Sequence, residues 1–127
     1  MQILVVDDKQ IILDSLNELL TTHGYLVDTA CNGLAASEKL QNSGYDLFIV
    51  DHLMPVMNGI QLTKQIRQHD IYAHTPVIFM TTQGKSLVES LGDSQLFSTI
   101  IDKPIDEENL LKSINALLTS NTRCQSL

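Results

Sequence analysis

Asp7, Asp8, Asp51, Thr81 and Lys103 are the residues whose types and spacing could do chemistry together. Each closes, or nearly closes, a short apolar run: residues 3–6 lead into Asp7 and Asp8, 47–50 into Asp51, 77–80 into Thr81, and 99–101 into Asp102-Lys103. If those runs are parallel strands, three carboxylates, a hydroxyl and an ammonium arrive at one edge of a sheet. Crowded carboxylates repel one another, and a hard divalent cation that prefers oxygen ligands is the natural compensation. Mg²⁺ held by one or two carboxylates, a backbone carbonyl and water serves phosphoryl transfer, with the lysine and the hydroxyl left to contact phosphoryl oxygens. An aspartate in that setting can itself be the nucleophile and form an acyl phosphate. Singly, each residue also has a plain structural reading: Asp51 as a strand-end turn residue, Asp7-Asp8 as a helix cap, Thr81 as a β-former before a turn, Lys103 as a solvated lysine. Only their joint placement argues for chemistry.

The elements that must position them alternate along the chain. After residues 3–6, Ile12, Leu13, Leu16, Leu19 and Leu20 recur at helical spacing, and Gly24 stands where a helix C′ glycine belongs. Residues 25–30 read as a more polar strand, suited to a sheet edge. Asn32-Gly33 turns the chain into a helix carrying Leu34 and Leu40 and ended by Gly44. Strand 47–50 is followed by a loop with Pro55 and a helix from Asn58 or Gly59, with Leu62 and Ile66 inward. Pro76 introduces strand 77–80. The helix predicted over 85–93 is the weakest, with only Leu87, Val88 and Leu91 as its apolar face. After strand 99–101, Asp106 caps a last helix with Glu107 and Glu108 in its first turn and Leu110, Leu111, Ile114, Leu117 and Leu118 as its buried stripe. Residues 120–127 read as a polar, frayed tail or the start of a linker, which leaves one domain over 1–119. Five strand–helix units with near-continuous apolar strands predict an α/β fold, a parallel sheet covered on both faces by helices, with ligands at the C-terminal strand ends.

Composition narrows the function classes. The 127 residues carry 15 acidic and 8 basic side chains, a net charge of −7, with no basic cluster, which excludes direct nucleic-acid binding and attraction to an anionic membrane. No apolar run approaches the roughly 18 residues of a membrane span, and the N-terminus lacks a secretory n-region and cleavage site. Cys31 and Cys124 are too few and too far apart for a disulfide framework or a zinc site, so a cytoplasmic setting is expected.

Ile3-Leu4-Val5-Val6-Asp7-Asp8, Asp51-His52-Leu53-Met54-Pro55 through Gly59, Pro76-Val77-Ile78-Phe79-Met80-Thr81, and Lys103-Pro104 resemble the response-regulator receiver domain. The resemblance spans about residues 1–119, in the family's motif order. It implies a flavodoxin-like (βα)5 doubly wound sheet, strand order 2-1-3-4-5, in three layers. It implies Asp51 as phosphoacceptor, and Asp8, Asp51 and the Leu53 backbone carbonyl as Mg²⁺ ligands with Asp7 acting through water. Thr81 matches the switch hydroxyl, Lys103 the phosphate-binding lysine, and Pro104 the family's cis-proline. The implied function is a phosphorelay receiver rather than an enzyme with a separate substrate. It takes its phosphoryl group from a histidine kinase or histidine phosphotransfer protein, loses it by slow self-hydrolysis, and acts on a downstream protein or an attached output domain.

The chain departs from the family pattern at Ile100, where an aromatic is usual, at Gln95-Leu96-Phe97 ahead of it, at Thr82 after the switch hydroxyl, and at Lys9 after the Asp pair. Ile100 favours the alternative of a phosphorylation-independent pseudo-receiver, and the intact Asp8, Asp51, Thr81 and Lys103 argue against it. An aspartyl-phosphate phosphatase would want a second Asp two residues after the nucleophile, where Leu53 stands. A nucleotide-binding enzyme would want a Gly-rich phosphate loop, which is absent. His52 follows the proposed acceptor, but strand alternation turns it away from Asp51, so it reads as structural. His23, His69 and His74 read as capping or solvated, Met54, Met57 and Met80 as packing, and Cys31 as a core or turn residue.

Overall fold

The computed structural model describes residues 1–41, 44–90 and 96–126. Leu91, Asp93 and Gln95 lie outside the described residues, as do Leu127 and the side chains of Leu87 and Cys124.

Strands β1 (Gln2–Val6), β2 (Leu26–Ala30), β3 (Leu47–Asp51), β4 (Val77–Thr81) and β5 (Thr99–Asp102) form one parallel sheet in the order β2-β1-β3-β4-β5. Helices α1 (Gln10–Thr22), α2 (Gly33–Lys39), α3 (Gly59–Gln68), α4 (Lys85–Ser90) and α5 (Glu107–Ser126) connect or follow them, with a 3₁₀ turn at Asp70–Tyr72 after α3. This is the flavodoxin-like arrangement, and the chain reverses direction across the sheet between β1 and β3, where such folds bind ligands. The polar β2 does lie at an edge.

Strand parity sorts the apolar side chains into two cores. Leu4, Val6, Phe48, Val50, Val77 and Phe79 face one side, and Ile3, Val5, Leu47, Ile49, Ile78 and Met80 face the other, against α1 and α5 through Leu13, Leu16, Leu110 and Ile114. The central strands are buried on both faces, which is why they read as unbroken apolar runs.

Local signals hold the helix ends. Gly24, at φ 90°, donates its N–H to Thr21 O (3.0 Å) while Tyr25 N–H reaches Leu20 O (3.1 Å), the two bonds of a Schellman stop. Asn32 caps α2 by accepting from Ala35 N–H at 2.7 Å. Asn58 and Gln61 form a reciprocal capping box at the start of α3, and Asp106 Oδ1 accepts from Glu108 N–H at 3.1 Å at the start of α5.

Two expectations are corrected. Helix α2 ends at Lys39 with Leu40 as its cap, rather than at Gly44; Leu40 is buried, so the chain leaves the helix once that anchor is seated, and Gly44 at φ 114° belongs to the connection into β3. Helix α5 continues to Ser126 through the residues expected to fray, since no Gly or Pro interrupts its backbone bonding.

Candidate functional site at the strand ends

Asp7 and Asp8 follow β1, Asp51 ends β3, and Lys103 follows β5. The fold brings carboxylate oxygens of Asp7, Asp8 and Asp51 within 4.8 Å of one another. Lys103 reaches in from the far strand: its Nζ lies 2.8 Å from Asp51 Oδ1 and 2.9 Å from Asp7 Oδ2. The peptide bond that follows, to Pro104, is cis. Asp7 is wholly buried and also accepts from Lys9 N–H at 2.9 Å, whereas Asp8 sits at the surface beside the Lys9 ammonium at 3.4 Å.

Three carboxylates against one buried ammonium leave excess negative charge. Burial pushes the Asp51 carboxyl above its usual range, the Lys103 hydrogen bond pulls it down, and the charge of Asp7 pushes it up again. Burial alone would lower Lys103, but its bonds to Asp51 and Asp7 outweigh that and hold it above the ordinary lysine range. Asp51 is 4% exposed, and its Oδ2 is a buried acceptor with no hydrogen-bond partner. An orphaned carboxylate oxygen among other acidic oxygens is a misfit for a neutral site and a fit for a hard cation.

The loop after Asp51 is shaped by a close approach. Gly59 N–H donates to His52 O at 2.8 Å, and a Cβ on Gly59 would fall 2.1 Å from the Asp51 carbonyl oxygen. Only glycine lets α3 begin against the end of β3. Leu53 is half-exposed on this loop, and Val56 beyond it is fully exposed with φ at 69°.

Thr81 does not join the carboxylate cluster directly. Its hydroxyl accepts from Gln83 N–H at 3.0 Å and pairs with His52 Nδ1 at 2.9 Å. His52 is 6% exposed, and burial lowers its affinity for a second proton. Alternation does turn it away from Asp51, but toward the Thr81 hydroxyl. The reading of His52 as merely structural missed this contact, which depends on register: Asp51 pairs with Met80, so the next residue along each strand, His52 and Thr81, become neighbours. Of the remaining histidines, His23 caps α1 with Nδ1 2.9 Å from Leu19 O, and His69 caps α3. Met54 and Met80 are buried in the cores, Met57 packs against one of them, and Cys31 is an exposed residue at a bend. Ile100 is partly buried against the core that holds Phe97, whose ring stacks on Phe79 at 4.0 Å.

Residues 3–115 match the family described as "Response regulator receiver domain". The chain belongs to that family. Protein PilH of Pseudomonas aeruginosa is 35% identical to this receiver over 92% of the chain and 97% of its own length. The CpxR homolog of Haemophilus influenzae, a transcriptional regulatory protein, is also 35% identical over 92% of the chain, but the receiver spans only 50% of it. The receiver thus spans about half the length of several curated relatives and nearly all of PilH. Among solved structures, chemotaxis protein CheY4 of Vibrio cholerae superposes with a TM-score of 0.85 at 32% identity, covering 91% of this chain and 97% of that one. Response regulator TrrA of Thermotoga maritima, solved in complex with Mg²⁺-BeF, superposes at 0.82 with 32% identity and the same coverage. Among the described residues, no helix is long and apolar enough to cross a membrane.

Proposed function

We propose that this receiver takes a phosphoryl group on Asp51 and uses it to switch a protein-binding surface. The observation that carries the reading is Asp51 itself: buried, with Oδ1 on Lys103, Oδ2 unpaired, and the Asp7 and Asp8 oxygens close by. Asp8, Asp51 and the Leu53 carbonyl would hold Mg²⁺, with Asp7 acting through water. The Leu53 carbonyl, on the loop that follows Asp51, takes this role from the family resemblance. Bound there, Mg²⁺ supplies charge neutralisation for a phosphoryl group in transfer.

An Asp51 oxygen attacks the phosphorus of a phosphohistidine donor. The new P–O bond forms as the donor P–N bond breaks, and the departing imidazole keeps that bond's electron pair and takes a proton from solvent. Lys103, already 2.8 Å from Asp51, holds the charge that develops on the phosphoryl oxygens. In the separate resetting step, water attacks phosphorus and gives up a proton to solvent, the P–O bond to Asp51 breaks with its electron pair returning to the carboxylate, and inorganic phosphate leaves. Thr81 would then be the hydroxyl that turns to the phosphoryl group and carries the change into the chain beyond it.

The donor is a histidine kinase or histidine phosphotransfer protein of the cytoplasm, residues 1–119 form the receiver unit, and the output is a partner protein or an attached domain. Incubation with Mg²⁺ and acetyl phosphate should add the mass of one phosphoryl group to the wild type and none to Asp51→Asn. Equal labelling of both would remove Asp51 from the role.

A further inference from the structure

We propose that His52 is a positioning residue that latches the Thr81 hydroxyl away from the acceptor carboxylate and so sets how readily the switch closes. The inference rests on Asp51 being the phosphoacceptor and Thr81 the switch hydroxyl. It concerns a residue outside the carboxylate–lysine cluster, on the opposite face of the sheet from Asp51.

By strand parity Phe79 and Thr81 share one face with Phe48 and Val50, and His52 continues that same face beyond Val50. Asp51 continues the other face with Leu47 and Ile49. Thr81 is fully buried and its hydroxyl is engaged twice, by Gln83 N–H at 3.0 Å and by His52 Nδ1 at 2.9 Å. A threonine hydroxyl has one proton to donate. With the neutral imidazole protonated at Nε2, that proton goes to Nδ1 and cannot be given to a phosphoryl oxygen at the same time.

Closing on a phosphoryl group therefore means leaving His52, and a buried ring nitrogen loses its partner. The cost falls on the closed state alone, so it moves the equilibrium between the two positions of Thr81. The ring is not free to follow. It packs on Phe79 at 5.0 Å between centroids, and Phe79 is stacked on Phe97 at 4.0 Å. The same aromatic chain runs toward the β5 edge, where Ile100 packs on the same core, so a change at His52 has a packed route out of the site.

Beryllium fluoride with Mg²⁺, used as a phosphoryl mimic on the full chain, tests this. His52→Phe keeps the ring contact with Phe79 and removes the hydrogen bond. His52→Asn places a polar atom where Nδ1 sits. Relief of one hydrogen bond predicts beryllium fluoride binding about three- to ten-fold tighter in His52→Phe, and close to wild type in His52→Asn. A purely structural histidine would instead weaken binding in both. In ¹⁵N-histidine-labelled wild type, the His52 ring nitrogens should shift on saturation as the hydroxyl departs, a readout that holds even where His52→Phe fails to fold. Unmoved ring nitrogens in a saturated wild type, or equal or weaker binding by a folded His52→Phe, overturn the latch and leave the acceptor reading standing. Wild type that binds no beryllium fluoride overturns both.

Discussion

The Lys103 ammonium lies 2.8 Å from Asp51 Oδ1, joining the end of the central strand to the loop after the edge strand. The same ammonium is 2.9 Å from buried Asp7, so one cation compensates two carboxylates. Lys103→Met should therefore destabilise the fold by about 2–4 kcal/mol in the absence of divalent cation, since it strands two buried charges. Millimolar Mg²⁺ should recover part of that loss. Urea melts with and without Mg²⁺ check it, and a variant as stable as wild type in metal-free buffer would contradict the charge balance described.

Asp51→Asn should have the opposite sign. Asp51 is held above the usual carboxylate range by burial and by Asp7, against the pull of Lys103. A carboxyl whose folded pKa is raised contributes stability that is present below its unfolded value and lost as pH rises through the folded one. The wild type loses that contribution as pH rises, so Asp51→Asn should gain in stability relative to it with rising pH. That gain should shrink as pH falls toward 4. Mg²⁺ should raise the wild-type melting temperature and leave Asp8→Ala nearly unmoved; equal shifts in both would argue against Asp8 as a ligand.

At the opposite edge, Asp28 accepts from the Tyr45 hydroxyl at 2.6 Å and from Lys39 at 2.7 Å. Burial would raise the Asp28 carboxyl, but the bonds from Lys39 and Tyr45 outweigh it and hold it below its ordinary value. A lowered folded pKa gives stability that is present above the unfolded value, near 4, and lost as pH falls through the folded one. Asp28→Asn should cost about 1 kcal/mol at pH 7, a modest figure because the pair is partly solvated. That cost should fade in acid. A pH-independent difference between the two proteins would mean the ion pair contributes nothing.

Val56 is a β-branched residue at φ 69°, fully exposed. Left-handed backbone disfavours its branched Cβ by about 1–2 kcal/mol, and its side chain gains no burial in return. Val56→Asn should accordingly stabilise the domain by about 1 kcal/mol, because Asn tolerates this conformation. Thermal melts decide it; a lower melting temperature would mean that the loop holds its shape for another reason.

The sequence alone determined the sheet, its helices and the residues at the strand ends, because those features are written in local chemistry. Unbroken apolar runs mark strands buried on both faces, Gly24 and Asp106 punctuate helices by their own backbone and capping preferences, and each motif closes its strand. It also determined that Asp7, Asp8, Asp51 and Lys103 could meet, since parallel strands deliver their C-terminal ends to one edge. Where α2 and α5 end was not legible to the same degree, because Leu40 stops one helix by where it packs and the other lacks any local breaker. The partner of Thr81 was decided by tertiary structure alone. Alternation within β3 correctly turned His52 from Asp51 but could not say what it would meet on the other face. That depended on the β3–β4 register, which sets Asp51 beside Met80 and therefore His52 beside Thr81. Register is a property of two strands packed together, and no spacing within either one contains it.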